Sequence, residues 1–183
     1  MHGIIFGELR KLVEHRLGSD GWNAILEDAG LESKLYIPVG EYPDADAFAI
    51  VSAIARNAHV ETQTILEDFG EFIAPTLMSL YRHLIKPAWR TIDVLENTEQ
   101  TIHRVVRTHN PGARPPMLRV TRDGSGVLIH YTSSRKMCGV AVGIVRGLAS
   151  HFDERVFIQQ TSCMLRGGSS CRISVKADAL VRR

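Results

Sequence analysis

Apolar residues recur at helical spacing over most of the first eighty positions of the chain. The pattern predicts four amphipathic helices, over residues 4–17, between Asp20 and Gly30, from Asp44 through the fifties, and from Glu61 to about Tyr81. Gly18 and Gly30 end the first two, because glycine is favoured just after a helix C-terminus. Residues 31–43 contain two prolines and a glycine and predict a loop.

The stretch from Thr91 to Pro116 predicts a further helix with a histidine on its apolar side. At about 100° per residue, His103 falls within the arc that Ile92, Leu95 and Val106 occupy. The sequence Asn110-Pro111-Gly112 then removes a backbone donor and permits positive φ, so the helix ends near His109. An inward histidine is most often a core residue with a hydrogen-bonded ring, and on this pattern alone that interpretation stays open.

After residue 116 the apolar pattern changes from helical to alternating. Residues 117–121 and 127–132 flank the turn signal Asp123-Gly124-Ser125-Gly126 and predict a hairpin, and residues 155–165 and 170–176 predict a second one. A helix over about 136–152 separates them, and its many small residues suit the close approach of a backbone or a flat ligand. Helices first and strands second predict an α+β fold, in one domain over residues 1–183.

Composition and charge narrow the classes of function. The chain has 22 Lys and Arg against 20 Asp and Glu, a net charge of +2, without a long run of one sign, so no nucleic-acid partner is expected. No apolar run is long enough to span a bilayer, and neither membrane insertion nor secretion is predicted. Three cysteines, an odd number, favour reduced thiols and a cytoplasmic location.

Three polar residues follow the second predicted strand at alternating positions, namely Tyr131, Ser133 and Arg135. In an extended segment they share one face and offer a phenol, a hydroxyl and a guanidinium to one ligand. Such a set suits carboxylates, because arginine binds a carboxylate bidentately and the hydroxyls donate to the remaining oxygens. A solvated polar strand edge is the other interpretation, and it stays open on composition alone.

Taken together, these residues resemble the H-NOX family, the haem nitric oxide/oxygen-binding domain that is also found in soluble guanylate cyclase. The features that carry the resemblance are His103, the Asn110-Pro111-Gly112 turn followed by Pro115, the Y-x-S-x-R of Tyr131, Ser133 and Arg135, and a Met-x-Gly start. The resemblance implies a ferrous haem b with His103 as its one protein ligand, propionates held by the Y-x-S-x-R residues, and Pro115 pressing on the porphyrin. It also implies a haem enclosed between a distal helical part of about residues 1–60 and a proximal α+β part of about 61–183.

The resemblance further implies which gas binds. Oxygen-binding members are similar to one another in carrying a tyrosine, whose hydroxyl donates to the bound oxygen, at the position of Val140 here. The residues implied for the distal side are all apolar: Ile5, Leu9, Ala74, Met78 and Val140. We therefore expect NO and CO to bind at the ferrous haem, with little stable O₂ binding.

Signalling in such a protein depends on the bond between the iron and His103. The resemblance implies that NO weakens this bond, so that the His103 helix and the contact at Pro115 relax. No output domain is predicted within the 183 residues, so we expect a monomeric sensor that is read by a separate protein. In the bacterial family that protein is typically a histidine kinase or a cyclic-di-GMP enzyme.

The three cysteines support an alternative function. Cys138, Cys163 and Cys171 fall close to the cysteines of a zinc site in a subset of bacterial H-NOX proteins, but Gln160 stands where those have a histidine. Two interpretations stay open. The three thiols bind zinc together with water, His151 or another fourth donor, or they are packed thiols without a metal. The alternative is a haem-independent interaction module that senses redox state through thiols or zinc. We expect no enzyme, because the chain has no nucleotide-binding, metalloprotease or hydrolase motif.

Overall fold

The structure is a computed structural model of the chain, and it describes residues 1–110 and 112–178. Pro111 of the predicted helix stop therefore lies outside the described residues. Two compact units divide the chain, Met1–Phe69 and Gly70–Arg183. The assignment of one domain with a distal part of about 1–60 stays a prediction. Across the described ranges, no helix combines the length and the apolar character needed to cross a membrane.

The first unit is built from helices, as the sequence predicts. Helix α1 spans Gly3–Leu17, α2 spans Gly21–Asp28, α3 spans Asp44–Ala58, and α4 begins in this unit and spans Thr62–Leu80. Gly18 ends α1 with φ +80° while its N–H donates to the Glu14 carbonyl, which is the conformation that favours glycine at this position. The helices bury a core that includes Phe6, Leu9, Val13, Ile25, Ile50 and Val51.

The predicted loop between α2 and α3 is fixed by aromatic and ionic contacts. The Tyr36 ring stacks on Phe6 with a centroid distance of 4.2 Å. Its hydroxyl donates to Asp46 Oδ2 at 3.0 Å, and Lys34 Nζ donates to the same oxygen at 2.8 Å. Since Asp46 is buried in the first turn of α3, these bonds both satisfy its charge and anchor the loop.

The histidine helix differs from the predicted one in its middle. A short 3₁₀ turn, Arg82–Leu84, precedes α5, Thr91–Asn97, and α6 spans Arg104–His109, but a π-helical turn, Glu99–His103, lies between these two helices. The His103 N–H donates to the Thr98 carbonyl at 3.0 Å, five residues back, and the Thr101 hydroxyl donates to the Asn97 carbonyl at 2.7 Å. The prediction of one uninterrupted α-helix was therefore wrong, because the hydrogen bonds are redistributed next to His103.

The second unit contains one antiparallel sheet, which confirms the α+β fold. Its strands are β1, Met117–Asp123, β2, Gly126–Thr132, β3, Val156–Ser162, and β4, Cys171–Ala177, in the order β1-β2-β4-β3. Both predicted hairpins form, and the pairing of β2 with β4 joins them. A second 3₁₀ turn, Met164–Arg166, lies between β3 and β4. Helix α7, Cys138–His151, and α5 contact the sheet.

Small residues of α7 admit the backbone of another helix. At Gly70 of α4, an added Cβ would meet the Val140 carbonyl oxygen, the Gly143 Cα and the Ile144 nitrogen, all closer than 3.0 Å. At Gly147 of α7, an added Cβ would meet Ala74 Cβ in the same way. Of the two uses that the sequence left open for these small residues, the one observed here is close helix packing.

Candidate functional site

His103 ends the π turn and is largely enclosed. Its side chain is 14% exposed, and its Nδ1 lies 2.9 Å from Glu99 Oε2. Sequence reasoning missed Glu99. The i, i+4 spacing of Glu99 and His103 could have predicted this contact, because residues at that spacing are neighbours on a helix surface.

The surroundings of His103 favour the form of imidazole that binds metals. Burial lowers the pKa of His103 below its ordinary value, although Glu99 and the Pro116 backbone act in the opposite direction. For Glu99, burial raises the pKa, but hydrogen bonds from His103, Arg107 and the Leu118 N–H together lower it below its ordinary value. Because an ionised carboxylate can only accept, Nδ1 carries the ring proton and Nε2 of the neutral ring keeps its lone pair.

The Y-x-S-x-R residues come together through a turn. Strand β2 ends at Thr132, and Ser133 begins a turn in which the Lys136 N–H donates to its carbonyl at 3.1 Å. The predicted extended segment is therefore wrong beyond Thr132. Ser133 Oγ accepts from the Arg135 backbone N–H at 3.2 Å, and the Ser133 side chain lies near enough to Tyr131 to lower its pKa, against the larger effect of burial. The three residues thus lie together for a different reason from the predicted alternation.

Tyr131 and Arg135 differ in their surroundings. Tyr131 is 3% exposed, and burial raises its pKa to about 12. It is therefore a neutral hydrogen-bond donor at physiological pH. The Arg135 guanidinium donates through Nη1 to the Arg114 carbonyl at 2.6 Å, so it binds the loop at the residue before the half-buried Pro115.

The predicted distal residues fall in both units. Ile5 and the fully buried Leu9 belong to α1 in the first unit, whereas Ala74, Met78 and Val140 belong to the second. In the second unit, Ala74 and Met78 lie on α4, and Val140 lies on α7, against which the Gly70 backbone of α4 packs. None of the five side chains carries an N–H or O–H donor.

The chemistry of this donor set fits a haem. A neutral imidazole is a common axial ligand for haem iron. Tyr131, Ser133 and Arg135 supply hydroxyl and guanidinium donors, which match the carboxylates of the propionates.

The three cysteines form a second candidate site. Cys138, Cys163 and Cys171 are buried, and their sulfur atoms lie within 4.8 Å of one another. Across residues 1–110 and 112–178, no His, Asp or Glu joins them as a further metal ligand, so His151 is not part of the cluster. Gln160 lies near Cys138 and lowers its pKa, against the larger effect of burial, but the buried Gln160 Nε2 has no hydrogen-bond partner among the described residues. The structure thus brings the three cysteines together, and whether they bind zinc stays a prediction.

The thiols of the cluster have unequal acidity. Burial raises the pKa of Cys138 to about 12. Burial also raises the pKa of Cys163, but backbone N–H groups of Leu165 and Arg166 and the two other thiols reverse this, so the pKa is lowered. The Met164 N–H donates to Cys171 Sγ at 3.3 Å. Backbone donors that converge on sulfur stabilise thiolates, which are the form of cysteine that binds metals.

A buried imidazole together with a set of carboxylate-binding donors is typical of a haem protein, and comparison with known proteins gives the family. The family profile described as "Haem-NO-binding" (HNOB) matches residues 2–160, and the chain belongs to this haem-binding gas-sensor family. The chain is also 28% identical, over 174 residues, to soluble guanylate cyclase gcy-34 from Caenorhabditis elegans. That match covers 91% of this chain and 25% of the relative, so the chain spans about a quarter of the relative's length.

Solved structures show the same fold. An H-NOX protein from S. oneidensis in the Fe(II)NO state is 24% identical, with a TM-score of 0.90 over 97% of this chain and 99% of that one. An unliganded Fe(II) H-NOX protein from K. algicida is 24% identical, with a TM-score of 0.89 over 100% of both chains. A T. tengcongensis H-NOX mutant is 19% identical, with a TM-score of 0.85 over 99% of this chain and 100% of that one.

Proposed function

We propose that this chain is a haem-based sensor that binds NO and CO at ferrous haem b, with little stable O₂ binding, and signals to a separate protein. The observation that carries the proposal is the largely buried imidazole of His103, whose Nδ1 lies 2.9 Å from Glu99 Oε2. Family membership supplies the cofactor class, and the H-NOX protein of S. oneidensis, solved with Fe(II)NO, supplies a precedent for the ligand.

Each proposed site residue has a separate role. When bound, the haem would supply a ferrous iron with one coordination position open to a gas. His103 Nε2 would hold the iron, and Tyr131, Ser133 and Arg135 would donate to the propionates. On the distal side, Ile5, Leu9, Ala74, Met78 and Val140 offer no hydrogen-bond donor. Stable O₂ binding benefits from such a donor, whereas NO and CO bind without one.

Signalling then depends on how firmly His103 is held. We propose that NO weakens the attachment of His103 to iron, and that the π turn and the loop around Pro115 relax as a result. The π turn supports this role, because the His103 N–H donates to the carbonyl five residues back instead of four, and π turns of this kind occur frequently at functional sites. The receiving protein would be a signalling enzyme such as a histidine kinase or a cyclic-di-GMP enzyme, and the sensor itself would be a cytoplasmic monomer without enzymatic activity.

His103→Gly tests the ligand assignment. We expect loss of bound haem, restored by added imidazole, because the cavity left by the ring then admits a free ligand. The measurement is the Soret absorbance per protein in the reduced state, with and without imidazole. His109→Gly is the matched control, since His109 is exposed and its Nδ1 donates to the Val105 carbonyl of its own helix at 3.0 Å. Unchanged haem content in His103→Gly would contradict the assignment.

The gas preference has its own test. We expect the reduced protein to change its spectrum on addition of NO or CO and to give no long-lived oxygen complex in air. Val140→Tyr should lengthen the lifetime of such a complex, because it introduces a hydroxyl donor at the position implied by the family resemblance. A stable oxygen complex in the unmodified protein would overturn the preference for NO and CO while leaving haem binding intact.

The cysteine cluster favours a second candidate function, a zinc or thiol redox module. Cys138 Sγ and Cys163 Sγ are 3.7 Å apart, so either a shared metal or a disulfide after a small movement is chemically reasonable. We expect about one zinc per chain when the protein is purified without chelator, and less after each single cysteine-to-serine substitution. Metal analysis checks this, and a protein free of metal whose thiols also resist oxidation would exclude the candidate. A reduced protein with no Soret band, even after expression with haem supplied, would favour this function over the haem sensor.

A further inference from the structure

Glu99 joins three parts of the second unit through one carboxylate. Oε2 lies 2.9 Å from His103 Nδ1 and accepts from the Leu118 backbone N–H at 3.0 Å. Oε1 accepts from the Arg107 guanidinium on α6. The π turn, α6 and β1 therefore meet at a side chain that is only 26% exposed.

The bond to Leu118 has a particular consequence because β1 is one of the two edge strands of the sheet. Leu118 pairs with Tyr131 of β2, and its N–H donates away from the sheet to Glu99. The pair is therefore a non-hydrogen-bonded one, in which facing side chains approach each other most closely. Through this pair, the carboxylate that contacts His103 also fixes the strand residue directly opposite Tyr131.

We propose that Glu99 is the positioning residue for the iron ligand. It fixes the ring orientation and tautomer of His103 and couples His103 to strand β1. This inference rests on the proposed function. A carboxylate that accepts from the non-ligating nitrogen of a metal-bound histidine increases the basicity of the ligating nitrogen and holds the ring in one orientation. Arg107 and the Leu118 N–H hold the carboxylate itself, so its position does not depend on the histidine alone.

The test compares Glu99→Gln and Glu99→Ala with the unmodified haem-loaded protein. The main readout is the iron–histidine stretching frequency of the reduced, unliganded protein by resonance Raman spectroscopy. We expect the frequency to fall in Glu99→Gln, which keeps a neutral acceptor, and to fall further in Glu99→Ala. Haem affinity should fall about 10- to 100-fold, as for other outer partners of metal-bound histidines. Amide exchange at Leu118 should also accelerate in Glu99→Ala, on the order of tenfold.

Glu96→Gln is the matched control. Glu96 is a glutamate at the end of α5 that pairs with an arginine, Arg122, at 2.6 Å, and no bond links it to His103. In Glu96→Gln, we expect the iron–histidine stretching frequency, the haem content and the amide exchange rate at Leu118 to match those of the unmodified protein. Loss of haem from the Glu99 variants alone, with unchanged circular dichroism, would also support the inference.

The outcomes separate the two proposals. An unchanged frequency in both Glu99 variants, with haem bound through His103, overturns the positioning role and leaves the sensor proposal standing. An equal change of the frequency in Glu96→Gln also overturns the positioning role of Glu99, because a general loss of surface charge would then explain the effect. If the Glu99 variants do not fold, Arg107→Ala is measured instead, and an unchanged frequency there counts against the inference. Absence of haem from the unmodified protein means that the sensor proposal itself has failed.

Discussion

Gly70→Ala tests the close packing of α4 on α7, which sets the positions of three proposed distal residues. An added Cβ at Gly70 would lie closer than 3.0 Å to the Val140 carbonyl oxygen, the Gly143 Cα and the Ile144 nitrogen. All three obstacles are backbone atoms, so no side-chain rotation can relieve the overlap, and one helix must move. Moving α4 away from α7 also moves Ala74 and Met78 relative to Val140.

The expected change in the free energy of unfolding of Gly70→Ala follows from two opposing effects. Overpacking of a well-packed interior costs about 1 to 3 kcal/mol, and rigid backbone obstacles favour the upper part of that range. Alanine in place of glycine inside a helix recovers about 1 kcal/mol. We therefore expect the free energy of unfolding to fall by about 1 to 2 kcal/mol. Gly7→Ala is the control, because an added Cβ there meets nothing within 4 Å inside α1, and it should raise stability by about 0.5 to 1 kcal/mol.

Urea unfolding followed by far-ultraviolet circular dichroism measures both variants at equal protein concentration. The prediction is a lower midpoint for Gly70→Ala and an equal or higher one for Gly7→Ala, with similar slopes. If Gly70→Ala is as stable as the parent while Gly7→Ala behaves as expected, α4 and α7 are not in close contact in solution. The packing reasoning and the position given to Val140 would then both be refuted.

Three further predictions concern the other site residues. Gln160→His should increase the zinc retained per chain, because an imidazole beside the three thiols completes a four-ligand set, as metal analysis can check. Arg135→Ala should weaken haem binding by about 1 to 3 kcal/mol in a haem titration, since a propionate loses its charged donor, whereas the exposed Arg119→Ala should not. Burial raises the pKa of Tyr131 to about 12, and an unfolded tyrosine titrates near 10, so stability should be retained below about pH 10 and fall as pH rises towards 12. The measurement is the urea unfolding midpoint as a function of pH, and in Tyr131→Phe the decrease between about pH 10 and 12 should be smaller.

Much of the fold could be predicted because it follows from local patterns. The stripe of α1 and its stop at Gly18, and the turn at Gly124 with φ +58°, depend on neighbouring residues only. The pairing of β2 with β4 could not be predicted in this way. It joins Val127 to Val175, which are far apart in sequence, and both strands have similar apolar alternation.

The sequence points to candidate site residues, which stay a prediction, but it does not give the backbone geometry around them. A helical wheel assumes a constant rotation per residue, so it cannot detect the π turn that ends at His103. Strand alternation likewise does not show that the backbone turns after Thr132, although Lys136, with φ +52°, lies in that turn. In both places the backbone departs from the regular pattern next to proposed functional residues, which is where such departures are expected.

The loop that contains Pro115 connects the two proposed haem-binding motifs. On its N-terminal side, the Arg114 carbonyl accepts from the Arg135 guanidinium at 2.6 Å. On its C-terminal side, the Leu118 N–H donates to Glu99, which also contacts His103. Pro115 is therefore held between a residue assigned to the propionates and the carboxylate that positions the iron ligand. If NO weakens the attachment of His103 to iron, Glu99 carries the change directly to Leu118 of the sheet and so to the C-terminal end of the loop. Both anchors of the loop can be removed by single substitutions.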